Sequence, residues 1–146
     1  MKTITINRRA THDYTLLERY EAGLLLSGQE VKSAKTGGVS LKGAFITFSE
    51  NTPYLTNAHI SPYKYAGELP SYDPTQPRKL LLKQKQIHNL LGKKQAQGLT
   101  IVPTKMYVGR RGLIKLEIAL GRGKKLYDKR HDIAKRDSER RLLRQQ

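Results

Sequence analysis

Residues 113–120 read Leu-Ile-Lys-Leu-Glu-Ile-Ala-Leu. Ile114, Leu116, Ile118 and Leu120 fall on one side of a two-residue alternation, Lys115 and Glu117 on the other. Successive side chains of a strand point to opposite faces, so this stretch predicts a strand with one dry face and one wet face. Gly109-Arg110-Arg111-Gly112 stands immediately before it, and an apolar run over 100–108 before that. Together they read as a hairpin with a basic turn.

The same logic extends upstream. Residues 14–26, YTLLERYEAGLLL, predict a long strand, and Gly23 marks a bulge or sharp bend in it. Ala44, Ile46 and Phe48 share one face of a strand over 39–49. A turn at Glu50-Asn51-Thr52-Pro53 then leads into a returning strand over 54–60. Residues 28–35, GQEVKSAK, predict a short helix stopped by Gly37-Gly38. Prolines at 62, 70, 74 and 77 make 61–77 a loop with exposed tyrosines. Pro77 suits the first turn of a helix, expected over 78–97, ending at Gly98, with Gly92 as the point where it would kink or divide. Leu80, Leu81 and Leu82 would span about 200° of that helix. Either one of them lies at the edge of the core or the loop covers all three. Hairpins separated by helices predict a mainly β protein, either a small closed antiparallel barrel or an open α+β sheet.

The 146 residues suit one domain over 1–120 and a tail over 121–146. The tail holds ten Lys or Arg against four Asp or Glu, a charge of +6, and few large apolar residues. Asp132 stands four before Arg136 and Asp137 four before Arg141, the favourable order on a helix, at roughly 0.2–0.5 kcal/mol each. So little support does not hold a short helix in water, so the expectation is a chain disordered when free and helical against a polyanion. The alternative is a basic tail that merely solvates. The body carries eighteen basic against eight acidic residues, and the whole chain +16. Such a balance points to nucleic acid first and to an anionic membrane second. No stretch joins basic residues to a wide apolar face, so no membrane partner is expected. There is no cysteine, no apolar leader and no run near the ~20 residues of a membrane span, which predicts a cytoplasmic protein.

Catalysis has little to work with. His12, His59, His88 and His131 show no metal-binding spacing, the carboxylates are scattered, and no phosphate loop or nucleophile motif is present. The expectation is no enzyme, no metal and no cofactor. Binding chemistry is richer. Arg8-Arg9 follow Asn7, Lys32 and Lys35 lie one helical turn apart, and Arg78, Lys79, Lys83 and Lys85 crowd one segment. Lys93-Lys94 and Arg110-Arg111 add two further pairs. His12, Tyr14, Tyr20, His59, Tyr63 and Tyr65 are interleaved among them. Any one of these has an ordinary surface or packing role. Spread across the chain in this way they suit a basic face on which unpaired RNA bases stack.

Several long motifs, in order, resemble the SsrA-binding protein family, the small protein B of bacterial trans-translation. They are NRRATHDY at 7–14, YEAG at 20–23, GQEVKSAKTG at 28–37, NAHISPY at 57–63, DPTQPRKLLL at 73–82, GLTIVP at 98–103 and IALGRGKKLYDKR at 118–130. The resemblance implies an oligonucleotide-binding-type closed β-barrel with about three flanking helices. It implies a non-enzymatic adaptor that binds the tRNA-like domain of tmRNA and delivers it to the A site of stalled ribosomes. Delivery would be with elongation factor Tu and alanyl-tmRNA, and the tail would probe the empty mRNA channel near 16S rRNA and the decoding centre.

Carried over by motif, Asn7, Glu21 and Leu81 match RNA-binding positions. They join Arg8, Arg9, His12, Tyr14, Glu30, Lys32, Lys35, His59, Arg78 and Lys79 in the expected RNA face. Lys124, Lys125, Tyr127, Asp128, Lys129, Arg130, Lys135, Arg136, Arg140 and Arg141 form the expected ribosome-binding tail, with Asp128-Lys129-Arg130 matching a motif tied to tagging. The chain departs from the family pattern at Gln86, Gly38 and Gly43. The competing expectation is a structural ribosomal or general single-strand RNA-binding protein.

Overall fold

The computed structural model describes residues 2–67 and 70–124. Among the described residues, nine strands and three α-helices follow in the order β1 (Lys2–Ile6), α1 (Arg8–Asp13), β2 (Tyr14–Leu24), α2 (Gly28–Lys35), β3 (Val39–Ser40), β4 (Phe45–Ser49), β5 (Thr52–Thr56), β6 (His59–Ile60), β7 (Arg78–Leu81), α3 (Gln84–Gln97), β8 (Thr100–Val108) and β9 (Ile114–Gly123), with a 3-10 turn over Arg110–Gly112. Seven strands make one antiparallel sheet in the order β1-β8-β9-β2-β7-β5-β4, and β3 pairs with β6 apart from it. The sheet curls far enough for β4 to pack on β8. Among the described residues no strand pairing joins β1 to β4, so the ladder is open where a closed barrel was expected.

β9 is the axis of the sheet. Its alternation holds as the sequence predicts, with Ile114, Leu116, Ile118 and Leu120 buried and Lys115 and Glu117 half-buried. It runs three residues past the expected boundary of the tail. Gly121, Arg122 and Gly123 pair with Leu16, Thr15 and Tyr14, and the Lys124 N–H donates to the Asp13 carbonyl at 3.0 Å. Residues 125–146, where the tail was expected to be disordered and then helical, lie outside the described residues.

The helix expected over 78–97 divides differently. Arg78–Leu81 is strand β7, and the helix begins only at Gln84. In β7 the exposure alternates: Arg78 and Leu80 are buried, Lys79 and Leu81 exposed. The strand fits between β5 and β2, pairing Arg78 and Lys79 with Leu55 and Tyr54, and Leu80 and Leu81 with Leu24 and Gly23. Two strand neighbours outweigh the helical preference of a leucine run. α3 is then unbroken through Gly92, starts with Gln86 Oε1 accepting from the Lys83 N–H at 3.1 Å, and ends at Gly98 with φ +62°.

Gly23 does not bulge. The irregularity in β2 falls between Leu16 and Glu18, while Gly23 sits where β2 is paired on both sides, with Lys115 and with Leu81. A Cβ there would stand 3.3 Å from the Leu81 Cβ, so glycine permits a close approach of two strands. Pro53, expected in a turn, lies within β5 opposite Phe48. The core joins Ala22, Leu41, Leu55, Leu80, Leu90, Ile101, Met106 and the inward face of β9.

α2 forms where expected. The Ser27 hydroxyl accepts from the Glu30 N–H and the Glu30 carboxylate from the Ser27 N–H, a reciprocal cap that fixes the start of the helix.

Candidate nucleic-acid interface

Several of the expected RNA-face residues lie toward the two ends of β2. Tyr14 and Glu21 are seven residues apart on that strand, roughly 23 Å at the usual rise.

At the Glu21 end, a groove of about 610 Å³ is lined by Glu21, Tyr107, Arg110, Arg111, Leu113 and Lys115. A second hollow, of about 270 Å³, shares Leu113 and Lys115 and continues past Gly23 and Leu25 to Leu81. Glu21 and Leu81, more than fifty residues apart in sequence, therefore flank one continuous depression. The Tyr107 hydroxyl donates to Glu21 Oε2, while Glu21 Oε1 accepts no hydrogen bond among the described residues. Burial, then the bond to Glu21, raise the Tyr107 hydroxyl well above its ordinary value, so the proton stays on the phenol. Lys105 Nζ lies 5.7 Å from the centre of the Tyr107 ring. Leu25, Leu81 and Leu113 are 60%, 51% and 55% exposed, an apolar floor amid basic side chains. Lys79 shares the exposed face of β7 with Leu81. Lys35 reaches the same rim, its Nζ 3.2 Å from where a Cβ on Gly112 would stand.

At the other end, Asn7 joins β1 to α1. Pro103 has no N–H for the ladder and β8 is irregular between Pro103 and Lys105. Asn7 uses the two carbonyls there: its Nδ2 donates to Pro103 O at 2.8 Å and its N–H to Thr104 O at 2.7 Å. Its side chain is thereby turned away from capping α1. The pinned helix presents Arg8 and Arg9 to solvent, with His12 Nδ1 hydrogen-bonded to Asp13 Oδ1 at 2.8 Å. Asn7, Arg9, Asp13, Tyr14 and Phe45 line a hollow of about 280 Å³. His59 is exposed on β6, opposite Ser40 in the small two-stranded ladder.

Glu30 and Arg78, expected on the RNA face, are each 2% exposed. Arg78 Nε and Nη2 donate to Glu30 Oε2 at 3.0 and 2.7 Å, Nη1 to Ala58 O at 2.6 Å and Nη2 to Pro74 O at 2.9 Å. The Tyr72 hydroxyl and Gln76 Nε2 complete the shell around the carboxylate. Burial pushes the Glu30 carboxyl up, but the Ser27 amide, Arg78 and Gln76 outweigh it and hold the group below its ordinary value. The pair ties α2, the 61–77 loop and β7 together from beneath the surface. Lys32 and Lys35, on the same helix, are exposed.

Sequence reasoning left Tyr107, Leu113 and Lys115 out of the expected RNA-binding set. Lys115 was visible as a wet-face position of the opening alternation. Nothing local announced that Tyr107 would meet Glu21 from 86 residues away. Among the residues expected in the tail set, only Lys124 is described, and the others lie outside the described residues.

The SmpB protein family model matches residues 4–146. The SsrA-binding protein of Thermosipho melanesiensis is 50% identical over 142 residues, covering 97% of this chain and 96% of that protein. That of Coprothermobacter proteolyticus is 49% identical over 145 residues, covering 99% and 97%. A solved chain described as "tmRNA-SmpB: a journey to the center of the bacterial ribosome" superposes with a TM-score of 0.68 at 47% identity, over 84% of this chain and 85% of that one. With so much of its length matched, this chain belongs to the SsrA-binding protein (SmpB) family.

Proposed function

We propose that the chain is the tmRNA-binding adaptor of trans-translation, a non-enzymatic protein of the cytoplasm that brings tmRNA to stalled ribosomes. The groove between Glu21 and Leu81 carries this reading. A general RNA-binding surface needs only positive charge, whereas this one places the Glu21 side chain among Arg110, Arg111 and Lys115. The open Glu21 oxygen suits the N–H groups of an unpaired guanine, and Leu81 and Leu113 suit the flat face of a base or sugar. The basic rim supplies phosphate contacts. We read the curled sheet as an oligonucleotide-binding-type barrel closed by packing of β4 on β8 rather than by strand pairing. Asn7 acts by fixing α1, so that Arg8 and Arg9 reach the RNA, and Glu30 and Arg78 act by holding α2 in place.

The tRNA-like domain of tmRNA is the ligand of the body. Lys124, Lys125, Tyr127, Asp128, Lys129, Arg130, Lys135, Arg136, Arg140 and Arg141 engage 16S rRNA near the decoding centre and in the vacant mRNA channel. Delivery occurs with elongation factor Tu and alanyl-tmRNA.

Titration against tmRNA and against a tRNA of similar length, at about 50 and about 200 mM salt, tests the reading, because pure phosphate binding with 6–10 contacts loses roughly 10³–10⁵ in affinity over that range. A preference for tmRNA that persists at the higher salt is expected. Equal binding to both RNAs, lost together, would leave only the +16 charge as the explanation.

A further inference from the structure

We infer that Tyr63 and Tyr65, with Lys32 and Lys64, form a second RNA contact outside the Glu21–Leu81 groove: a stacking site for one unpaired nucleobase and its flanking phosphates. It rests on the RNA-binding reading above and extends it to a loop without an assigned role. Tyr65 is 75% exposed, so its ring buries little against the protein. Its neighbour in space is Tyr63, with ring centres 5.6 Å apart at 70°, an edge-to-face pair. Lys32 Nζ lies 5.8 Å from the centre of the Tyr63 ring, and Lys64 Nζ 5.4 Å from that of Tyr65.

The pair is held in place. Ser33 Oγ donates to Ser61 O at 2.6 Å, the Tyr63 N–H to Gln29 Oε1 at 2.8 Å, and the Ala66 N–H back to Tyr63 O at 3.1 Å. Ser61 and Tyr63 are therefore fastened to α2, the helix that the Glu30–Arg78 pair anchors from below, and the turn to Ala66 closes back on Tyr63. A ring already oriented loses little freedom when a base stacks on it. Both neighbouring cations lie within reach of a phosphate flanking a base stacked on these rings. Lys32 sits one turn before Lys35, which reaches the rim of the groove at Gly112, so the platform continues the groove across α2.

Two RNAs offer such a base, tmRNA and the rRNA of the small ribosomal subunit. The full chain, Tyr65→Leu and Tyr65→Phe are each titrated against a tmRNA transcript and against small ribosomal subunits. Tyr65→Leu is expected to bind one of them about ten-fold more weakly, while Tyr65→Phe stays within about two-fold of the parent, since stacking needs the ring and not the hydroxyl. Loss against the transcript places the base in tmRNA, and loss against the subunit places it in rRNA. Unchanged binding of Tyr65→Leu to both, or equal loss in Tyr65→Phe, would overturn the inference. A parent chain that does not prefer tmRNA over tRNA would instead remove the adaptor reading itself, so the two failures are told apart.

Discussion

Two side-chain partnerships set the chemistry of single residues here. Tyr107 donates to Glu21 and leaves the other carboxylate oxygen facing the groove. Tyr107→Phe keeps the buried ring and removes only that bond, so stability should fall by about 1 kcal/mol. Affinity for tmRNA should fall by roughly five- to ten-fold, because a free carboxylate samples orientations in which it no longer meets a base. Parallel melts and titrations check this, and a variant that melts lower but binds tmRNA like the parent would show that Tyr107 only supports the fold. The second partnership is Glu30 with Arg78. Arg78→Met leaves a carboxylate buried without its cation, a loss of about 3–5 kcal/mol at neutral pH. The pH dependence follows from the two directions of shift. In the parent the Glu30 carboxyl is held below its ordinary value, so its contribution is complete above the carboxylate range and fades only as acid protonates the folded state. In the variant the Ser27 amide and Gln76 remain but the Arg78 cation is gone, so burial lifts the carboxyl relative to the parent, the folded state takes up a proton more readily and the deficit shrinks on acidification. Urea unfolding at about pH 8 and about pH 5 should therefore show a smaller gap between variant and parent at the lower value. A gap that is constant or grows with acid would mean that Arg78 stabilises through its carbonyl bonds to Ala58 and Pro74 alone.

At the level of elements, α2 is held twice, at its first turn by Ser27 and from beneath by Arg78. Both fixings meet at the Glu30 carboxylate. Ser27→Ala should cost about 1 kcal/mol by itself. Combined with Arg78→Met it should cost less than the sum of the two, since each change disturbs the same carboxylate. A double-mutant cycle by urea denaturation reads the coupling, and strict additivity would separate the cap from the ion pair. The end of α2 was legible in the sequence as Gly37-Gly38, whereas its start, Ser27 with Glu30 three positions on, was there in the sequence but was not read. The period of β9 was equally plain, because four branched or long apolar residues alternate with two charged ones. β7 was not legible. Three leucines in a row carry no period, and the alternation of buried Leu80 with exposed Leu81 comes from β5 and β2 on either side, partners far away in sequence. α1 was missed because it is six residues long and its cap residue turns its side chain to β8 instead. The candidate site divided in the same way. Glu21 and Leu81 were found through motif resemblance, but their shared groove is made by strand pairing around Gly23. The misplacement of Glu30 and Arg78 on the RNA face followed from reading charge without burial.

For the whole molecule, the end of β9 decides where the body stops. Sequence composition places the change at residue 121, yet Gly121 is buried and pairs with Leu16, and the ladder continues to Gly123 opposite Tyr14. This last stretch closes over α1, since the Lys124 N–H bonds to Asp13 O at the end of that helix. A chain ended after Leu120 therefore loses sheet pairing as well as the tail, and any fall in tmRNA binding would be ambiguous. Ending the chain after Lys124 retains every described β9 pair and removes only 125–146. If body and tail do separate work, that shorter protein should melt near the parent, hold tmRNA with nearly the parent's affinity, and fail to support tagging on stalled ribosomes. The chain ended after Leu120 should melt lower and bind tmRNA more weakly. Removing 125–146 also removes a net +4 of the chain's +16, so the titration belongs at about 200 mM salt, where contributions from unspecific phosphate contacts are small. Equal loss of tmRNA binding and tagging in the chain ended after Lys124 would mean that the tail helps to hold tmRNA, and the division of labour between body and tail would have to be abandoned.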